Sequence, residues 1–95
     1  MIQAKQENCL FCDVLEIDRD RIVEENDLAF VVRDGFPVTQ HHTLLIPKRH
    51  VLDYFGLNTA EVSAIHTLLH SQKKLLSEQD TTISGYNIGM NCGKV

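Results

Sequence analysis

The chain has 95 residues, a formal net charge of −4 and three cysteines. This length allows one domain with a modest core, and the acidic balance excludes a general polyanion binder, so no nucleic-acid polymer is expected as a partner. The N-terminus lacks an apolar signal region, and no apolar run approaches a membrane span. We therefore expect a single cytoplasmic domain over residues 1–95, with no membrane partner and with thiols that are free or metal-bound.

Four short elements are predicted in the first half of the chain. In order, these are the strands RIVEEN (21–26), LAFVVRD (28–34) and TLLIP (43–47), followed by one or two helical turns in RHVLDYF (49–55). Asn26-Asp27 between the first two strands is typical of a β-hairpin turn. The third strand ends at Pro47, which has no N–H to donate to a neighbouring strand.

The clearest element is a helix predicted from Thr59 to Gln79. Asn58 precedes it as an N-cap, and Glu61 stands where it can complete a capping box. One apolar stripe recurs at helical spacing and comprises Val62, Ile65, Leu68, Leu69, Leu75 and Leu76. The helix is therefore expected to cover one face of a sheet.

A last strand is predicted over residues 84–91, where apolar and polar side chains alternate. The side chains expected under the helix are Tyr86, Ile88 and Met90, and those expected on the open face are Asn87, Gly89 and Asn91. The open face suits the approach of a ligand, although a plain solvated surface is preferred from the pattern alone. This order of elements predicts an α+β domain with an antiparallel sheet and one long helix packed on one face.

Cys9 and Cys12 form a C-x-x-C pair that is compatible with half of a zinc site, a redox pair or two free thiols. A thioredoxin-like redox pair needs a strand before it, and none is predicted there. Zinc needs four ligands, and His50 is the best third candidate because it follows a short strand. Cys92 is isolated and is interpreted as a small apolar filler.

The remaining candidates for chemistry are four histidines and one aspartate. His66 and His70 lie four apart on the predicted helix and could hold a metal, but a solvated helix face is preferred because no third ligand is obvious. His41-His42 precedes the third strand, where a structural histidine bonded to backbone is favoured over a catalytic one. Asp34 ends the second strand, where it accepts two sugar hydroxyls or caps a turn.

Together these pieces resemble the histidine-triad (HIT) superfamily of nucleotide hydrolases and transferases. The resemblance covers Cys9 to Val95, and its most specific stretch is RDGFPVTQHHTLLIPKRH (33–50), supported by CLFC before it and YNIGMNCG after it. It implies the HIT-like antiparallel sheet with one long helix, assembled as a homodimer. The implied ligand is a purine nucleotide or a dinucleoside polyphosphate.

The resemblance also implies roles for individual residues. The expected nucleotide-binding residues are Leu10, Phe11 and Val32 around the base, Asp34 at the ribose hydroxyls and Asn91 beside the phosphate. Cys9, Cys12 and His50 resemble the zinc site of many bacterial members, in which a histidine of the triad strand is the usual fourth ligand. His42 matches a histidine common in the family's H-x-L-x-I-P-K stretch.

Two departures from the family pattern are evident. Relatives often carry Pro-Gly where this chain has Gln40-His41, so a different loop shape is expected. The defining H-x-H-x-H is absent, and no histidine follows His70. In a complete relative its middle histidine attacks the α-phosphate and forms a nucleotidyl-histidine that water hydrolyses. No catalytic residue is therefore assigned, and the domain is expected to be C-terminally incomplete, with the final triad strand missing.

Three interpretations of function follow from these observations. The first is a HIT nucleotide hydrolase or transferase without its triad strand. The second is a non-catalytic descendant that binds nucleotides or a protein partner. The third is a small zinc-stabilised structural module in which the nucleotide pocket is vestigial.

Overall fold

The computed structural model describes residues 19–33 and 41–90, which form a three-stranded sheet and one long helix. The elements are β1 (Ile22–Glu25), β2 (Ala29–Arg33), β3 (Thr43–Pro47) and α1 (Thr59–Gln79), with 3-10 turns at Arg19–Arg21 and Tyr54–Gly56. These elements confirm the predicted α+β class with an antiparallel sheet and one long helix. Within the described ranges, no helix is long and apolar enough to cross a membrane.

β2 is the central strand of an antiparallel sheet with the order β1-β2-β3. Its side chains alternate between two buried layers. The layer against α1 consists of Ala29, Val31, Leu45, Ile65 and Leu68, and the layer on the opposite face consists of Phe30, Val32 and Ile46. The four apolar residues of β2 have no exposed surface, so this strand is covered on both faces.

The predicted hairpin between β1 and β2 is confirmed, and Asn26 closes it. The Asn26 side-chain oxygen accepts hydrogen bonds from the backbone N–H groups of Leu28, at 3.1 Å, and Ala29, at 3.0 Å. Its Nδ2 donates to the carbonyl of Ala64 in α1 at 2.9 Å. One side chain therefore fixes the turn and also joins the sheet to the helix.

α1 begins and ends at the predicted residues. The Asn58 side chain accepts from the Glu61 N–H at 2.9 Å, and the Glu61 carboxylate accepts from the Asn58 N–H at 3.0 Å, which confirms the capping box. Most of the predicted stripe is buried or half-buried, but Leu75 is 39% exposed. Leu75 lies two turns after the buried Leu68 on nearly the same side of α1, so its greater exposure belongs to the C-terminal end of the helix and not to a different face.

The connection from β3 to α1 contains one 3-10 turn, at the end of the stretch predicted to hold one or two helical turns. Asp53 caps it by accepting from the Phe55 N–H at 2.9 Å. Arg49 spans the connection by donating to the carbonyl of Gly56 at 2.7 Å and to both carboxylate oxygens of Glu61 at 2.8 and 3.0 Å. Tertiary bonds to the start of α1, and not helical propensity, set the path of this segment.

The predicted last strand (84–91) is wrong over the residues that the structure describes. Residues 84–89 have no regular secondary structure, and Met90 forms only an isolated bridge. Tyr86, Ile88 and Met90 were expected under the helix, but they are 43%, 55% and 41% exposed. Alternation produces a strand only where a neighbouring strand supplies hydrogen bonds, and β2 is the only strand paired with β3 in the described part of the sheet.

Candidate functional site

A cavity of about 550 Å³ lies between β3, the C-terminal half of α1 and the segment that follows the helix. Leu45, Leu69 and Leu76 give it an apolar wall, and His41 and His42 stand at the entrance to β3. Its volume is in the range that holds small organic ligands. Tyr86 and Ile88, expected to fill the space beneath α1, line the cavity instead.

His41 has a positive φ of 67°, a conformation that glycine adopts without strain. The family resemblance implies a glycine at this position in many relatives, and His41 has the left-handed backbone that a glycine favours. Its Nε2 lies 3.0 Å from Oδ2 of Asp80, and its carbonyl accepts from the Thr43 hydroxyl at 2.8 Å. These two contacts hold the strained residue at the start of β3.

Asp80 is the C-cap of α1 and carries the charge that faces His41. Hydrogen bonds from the Thr82 hydroxyl and the Thr82 backbone N–H, together with the contact to His41, hold the pKa of Asp80 below its usual range. The carboxylate is therefore ionised at neutral pH. Thr82 fixes its orientation, so the loop entering β3 is held against the end of the helix.

Among the residues assigned to nucleotide binding, only Val32 lies in the described part of the chain. It pairs with Leu44 across β2 and β3 and is completely buried. A base that contacts Val32 must therefore displace the side chains that now cover it. The other four assigned residues, Leu10, Phe11, Asp34 and Asn91, lie outside the described residues, and their roles stay predictions.

Of the three expected zinc ligands, one lies in the described part of the chain and two lie outside it. His50 is exposed directly after β3, next to the buried Val51, whereas Cys9 and Cys12 lie outside the described residues. Two thiolates and one imidazole are a donor set that Zn²⁺ prefers, so the chemistry of the residues fits the metal. Within 19–33 and 41–90, no three His, Cys, Asp or Glu side chains gather into a metal site.

The sequence interpretation missed a polar network beneath α1. Glu24 on β1 accepts from the Ser71 hydroxyl and from Nε2 of Gln72, each at 2.7 Å. Gln72 is 3% exposed and lines the cavity, and its Oε1 makes no hydrogen bond to the described residues. Position 72 continues the buried helical series of Ile65 and Leu68, so its spacing was a usable signal despite its polar side chain.

Comparisons with known proteins point to one family. The family model for the HIT domain matches residues 15–95. A HIT-like protein of Mycoplasma pneumoniae is 36% identical over 87 residues, which cover 90% of this chain and 60% of the relative. The solved structure of a HIT family hydrolase from Clostridium thermocellum matches with a TM-score of 0.65 and 28% identity, covering 94% of this chain and 78% of that one. A Danio rerio protein named adenosine 5′-monophosphoramidase HINT3 is 26% identical over 83 residues, which cover 84% of this chain and 51% of the relative.

The antiparallel sheet and single long helix, together with these structural matches, define a HIT-like α+β domain. The chain belongs to the HIT domain family, since the family model covers residues 15–95. The resemblance drawn from the C-x-x-C, the H-x-L-x-I-P-K stretch and the N-C-G segment is confirmed. The chain spans 60% of the length of its Mycoplasma pneumoniae relative.

Proposed function

We propose that this chain is the nucleotide-binding part of a HIT enzyme that hydrolyses or transfers a nucleoside monophosphate. The substrate class is a dinucleoside polyphosphate or a nucleoside phosphoramidate. The observation that carries the proposal is the HIT family match over residues 15–95. The relative named as an adenosine 5′-monophosphoramidase and the matching structure titled as a hydrolase support this class of reaction.

Binding would depend on local geometry, because the net charge of −4 offers phosphate no general attraction. In the proposed site Leu10, Phe11 and Val32 surround a purine base. Asp34 accepts hydrogen bonds from two ribose hydroxyls, and Asn91 contacts the phosphate. Charge-assisted bonds to a carboxylate are stronger than neutral ones, so Asp34 would contribute most of the polar affinity.

The proposed reaction is covalent and requires a nucleophile that these 95 residues do not supply in the family's H-x-H-x-H pattern. A triad histidine would attack the α-phosphate, and water would release the nucleoside monophosphate. In this proposal, the residues of this chain bind and orient the nucleoside. We propose that this occurs in a cytoplasmic homodimer, with zinc held by Cys9, Cys12 and His50 as a structural ion.

The alternative is a non-catalytic, zinc-stabilised module that binds nucleotides or a protein. Both interpretations include a folded domain and a zinc site, so metal content does not separate them. Turnover of a nucleoside phosphoramidate separates the enzyme from a binding module, and nucleotide affinity separates a nucleotide site from a protein-binding surface.

Titration calorimetry with adenosine, its monophosphate and 2′,3′-dideoxyadenosine tests the nucleotide site. We expect adenosine to bind nearly as well as its monophosphate, because the phosphate gains little beyond Asn91. Asp34→Asn should weaken both by roughly tenfold to a hundredfold, the equivalent of 1.5–3 kcal/mol. Asp27→Asn, which removes the same charge from the exposed hairpin turn, is the matched control and should bind as the wild type does.

Each part of the proposal has its own contrary result. Equal affinity of the wild type for adenosine and its dideoxy analogue would show that Asp34 does not hold the ribose. No binding of any of the three ligands would refute the nucleotide site. A fall in stability without a change in ligand preference would assign Asp34 to turn capping.

A further inference from the structure

α1 carries a pair of histidines that the proposed nucleotide function does not use. His66 and His70 are one helical turn apart, and both are exposed. Their ring centroids are 4.4 Å apart and the ring planes are tilted by 56°. The buried Ile65 and Leu68 hold the helix against the sheet, and His70 also lines the cavity beneath the C-terminal half of α1.

The distance between the two rings suits chelation of one metal ion. With a metal–nitrogen bond of about 2.0–2.1 Å, an ion lies roughly 3.2 Å from the centre of each imidazole that binds it. Two ring centres 4.4 Å apart then subtend close to a right angle at the ion. A right angle between neighbouring ligands belongs to square-planar and octahedral ions, whereas a tetrahedral ion needs a wider one.

We propose that His66 and His70 chelate a divalent late transition-metal ion, Cu²⁺ or Ni²⁺, at the exposed surface of α1. Imidazole nitrogens suit both ions, and Cu²⁺ has the highest affinity in the divalent series. In the described part of the chain no third His, Cys, Asp or Glu joins the pair, so water would complete the coordination. Both rings are exposed, so they can rotate and direct their nitrogens at one ion without moving a buried group.

The side chains within one turn of the pair along α1 include hydroxyls and lysines. Ser63 lies one turn before His66, and Thr67, between the two histidines, donates its hydroxyl to the Ser63 carbonyl at 3.1 Å. Lys73 and Lys74 follow His70, and the Lys73 ammonium lies 6.0 Å from the centre of the Tyr86 ring. Their positive charges lower the affinity of the pair for a cation, and an ion that binds both rings stabilises the folded chain by mass action.

Titration of the full chain with Ni²⁺ tests the proposal. We expect the wild type to take up one more equivalent of Ni²⁺ than His66→Gln or His70→Gln, and each variant to lose that equivalent or bind it at least tenfold more weakly. The same equivalent should raise the thermal unfolding midpoint of the wild type and not that of either variant. Circular dichroism establishes that the variants are folded, and both positions are exposed.

The spacing of the histidines, and not their number, should decide the outcome. The double variant Ser63→His with His66→Gln keeps the histidine count but separates the rings by two helical turns, about 10.5 Å. It should behave like His66→Gln. A second background, Cys92→Ser, removes the thiol that is not assigned to the zinc site and should keep the equivalent assigned to the pair. Unchanged Ni²⁺ uptake in the His66 and His70 variants, or loss of the equivalent in Cys92→Ser, would overturn the proposal.

Discussion

Nε2 of His41 lies 3.0 Å from Oδ2 of Asp80, across 39 residues of sequence. This contact joins the entrance of β3 to the C-cap of α1, and it involves a residue whose φ of 67° is unusual for anything but glycine. The chain therefore places a histidine where a glycine is conformationally favoured, and a hydrogen bond helps to hold it there. His41 also lines the cavity beneath α1.

Asp80→Asn should make the stability of the domain less dependent on pH. The pKa of Asp80 is lowered in the folded state, chiefly by Thr82 and then by His41. A lowered pKa contributes stability that is present above the unfolded-state value, near 3.8, and that is lost as the pH falls through the folded-state value. The urea midpoint of the wild type should therefore exceed that of the variant at pH 7, and the two should converge in acid. Asp27→Asn is the control, and an equal deficit for Asp80→Asn at both pH values would contradict the prediction.

Asn58→Ala should destabilise the domain through the N-terminus of α1. The substitution removes the side-chain acceptor for the Glu61 N–H, and loss of an N-cap typically costs about 0.5–2 kcal/mol. Asn87→Ala, at an exposed position after the helix, is the matched control and should stay within about 0.5 kcal/mol of the wild type. Equilibrium unfolding in urea measures both values, and equal effects of the two substitutions would count against the capping box.

Leu68→Ala and Leu75→Ala should differ strongly although both leucines belong to the predicted stripe. Leu68 is 2% exposed and packs in the layer between sheet and helix, so its truncation should cost about 2–5 kcal/mol. Leu75 is 39% exposed and buries less apolar surface, so its truncation should cost about 1 kcal/mol or less. Urea unfolding of the two variants gives the comparison. A larger loss at Leu75 would mean that another surface covers it.

Zinc should be present after mild dialysis and should depend on the C-x-x-C pair. Three ligands leave one coordination position for water, so the ion should be held more weakly than in a complete four-ligand site. Cys9→Ser or Cys12→Ser should lower the zinc content measured by elemental analysis, whereas the control Cys92→Ser should not. Absence of zinc, with freely reactive Cys9 and Cys12 thiols, would refute the site.

The 95-residue chain should not turn over an adenosine phosphoramidate or a diadenosine polyphosphate at ordinary enzyme rates. Loss of a nucleophile typically lowers turnover by several orders of magnitude, and this chain lacks the triad pattern. The rate is measured by chromatography of the adenosine monophosphate that is released, with a complete family member as the positive control. Turnover comparable with that of the complete member would show that another group acts as the nucleophile.

Local signals in the sequence predicted the elements that depend on local interactions. α1 was predicted from Thr59 to Gln79 because its capping box and its stripe lie within the helix itself. The hairpin at Asn26 was predicted because its turn chemistry lies between the two strands. TLLIP formed β3 because its apolar residues are buried against β2 and α1.

The features that sequence did not predict depend on distant partners. The alternation in 84–91 carries no information about whether a strand is available to pair with it. Leu75 matches the helical stripe but is 39% exposed, because burial near the C-terminal end of α1 depends on which distant residues pack there. The left-handed backbone of His41 depends on Asp80, 39 residues away. Only the family motifs predicted the candidate nucleotide site. Neither burial nor periodicity distinguishes an Asp34 that binds ribose from an Asp34 that caps a turn.

β2 is hydrogen-bonded to a strand on each edge and covered by side chains on each face. It therefore has no route for local opening, and its amide protons should exchange with solvent only when the whole domain unfolds. Any ligand that binds the folded chain alone slows that exchange by a factor of one plus its concentration over its dissociation constant. The exchange rate of the Val31 amide therefore reports the binding of a nucleoside or of a metal ion, although neither is proposed to contact Val31.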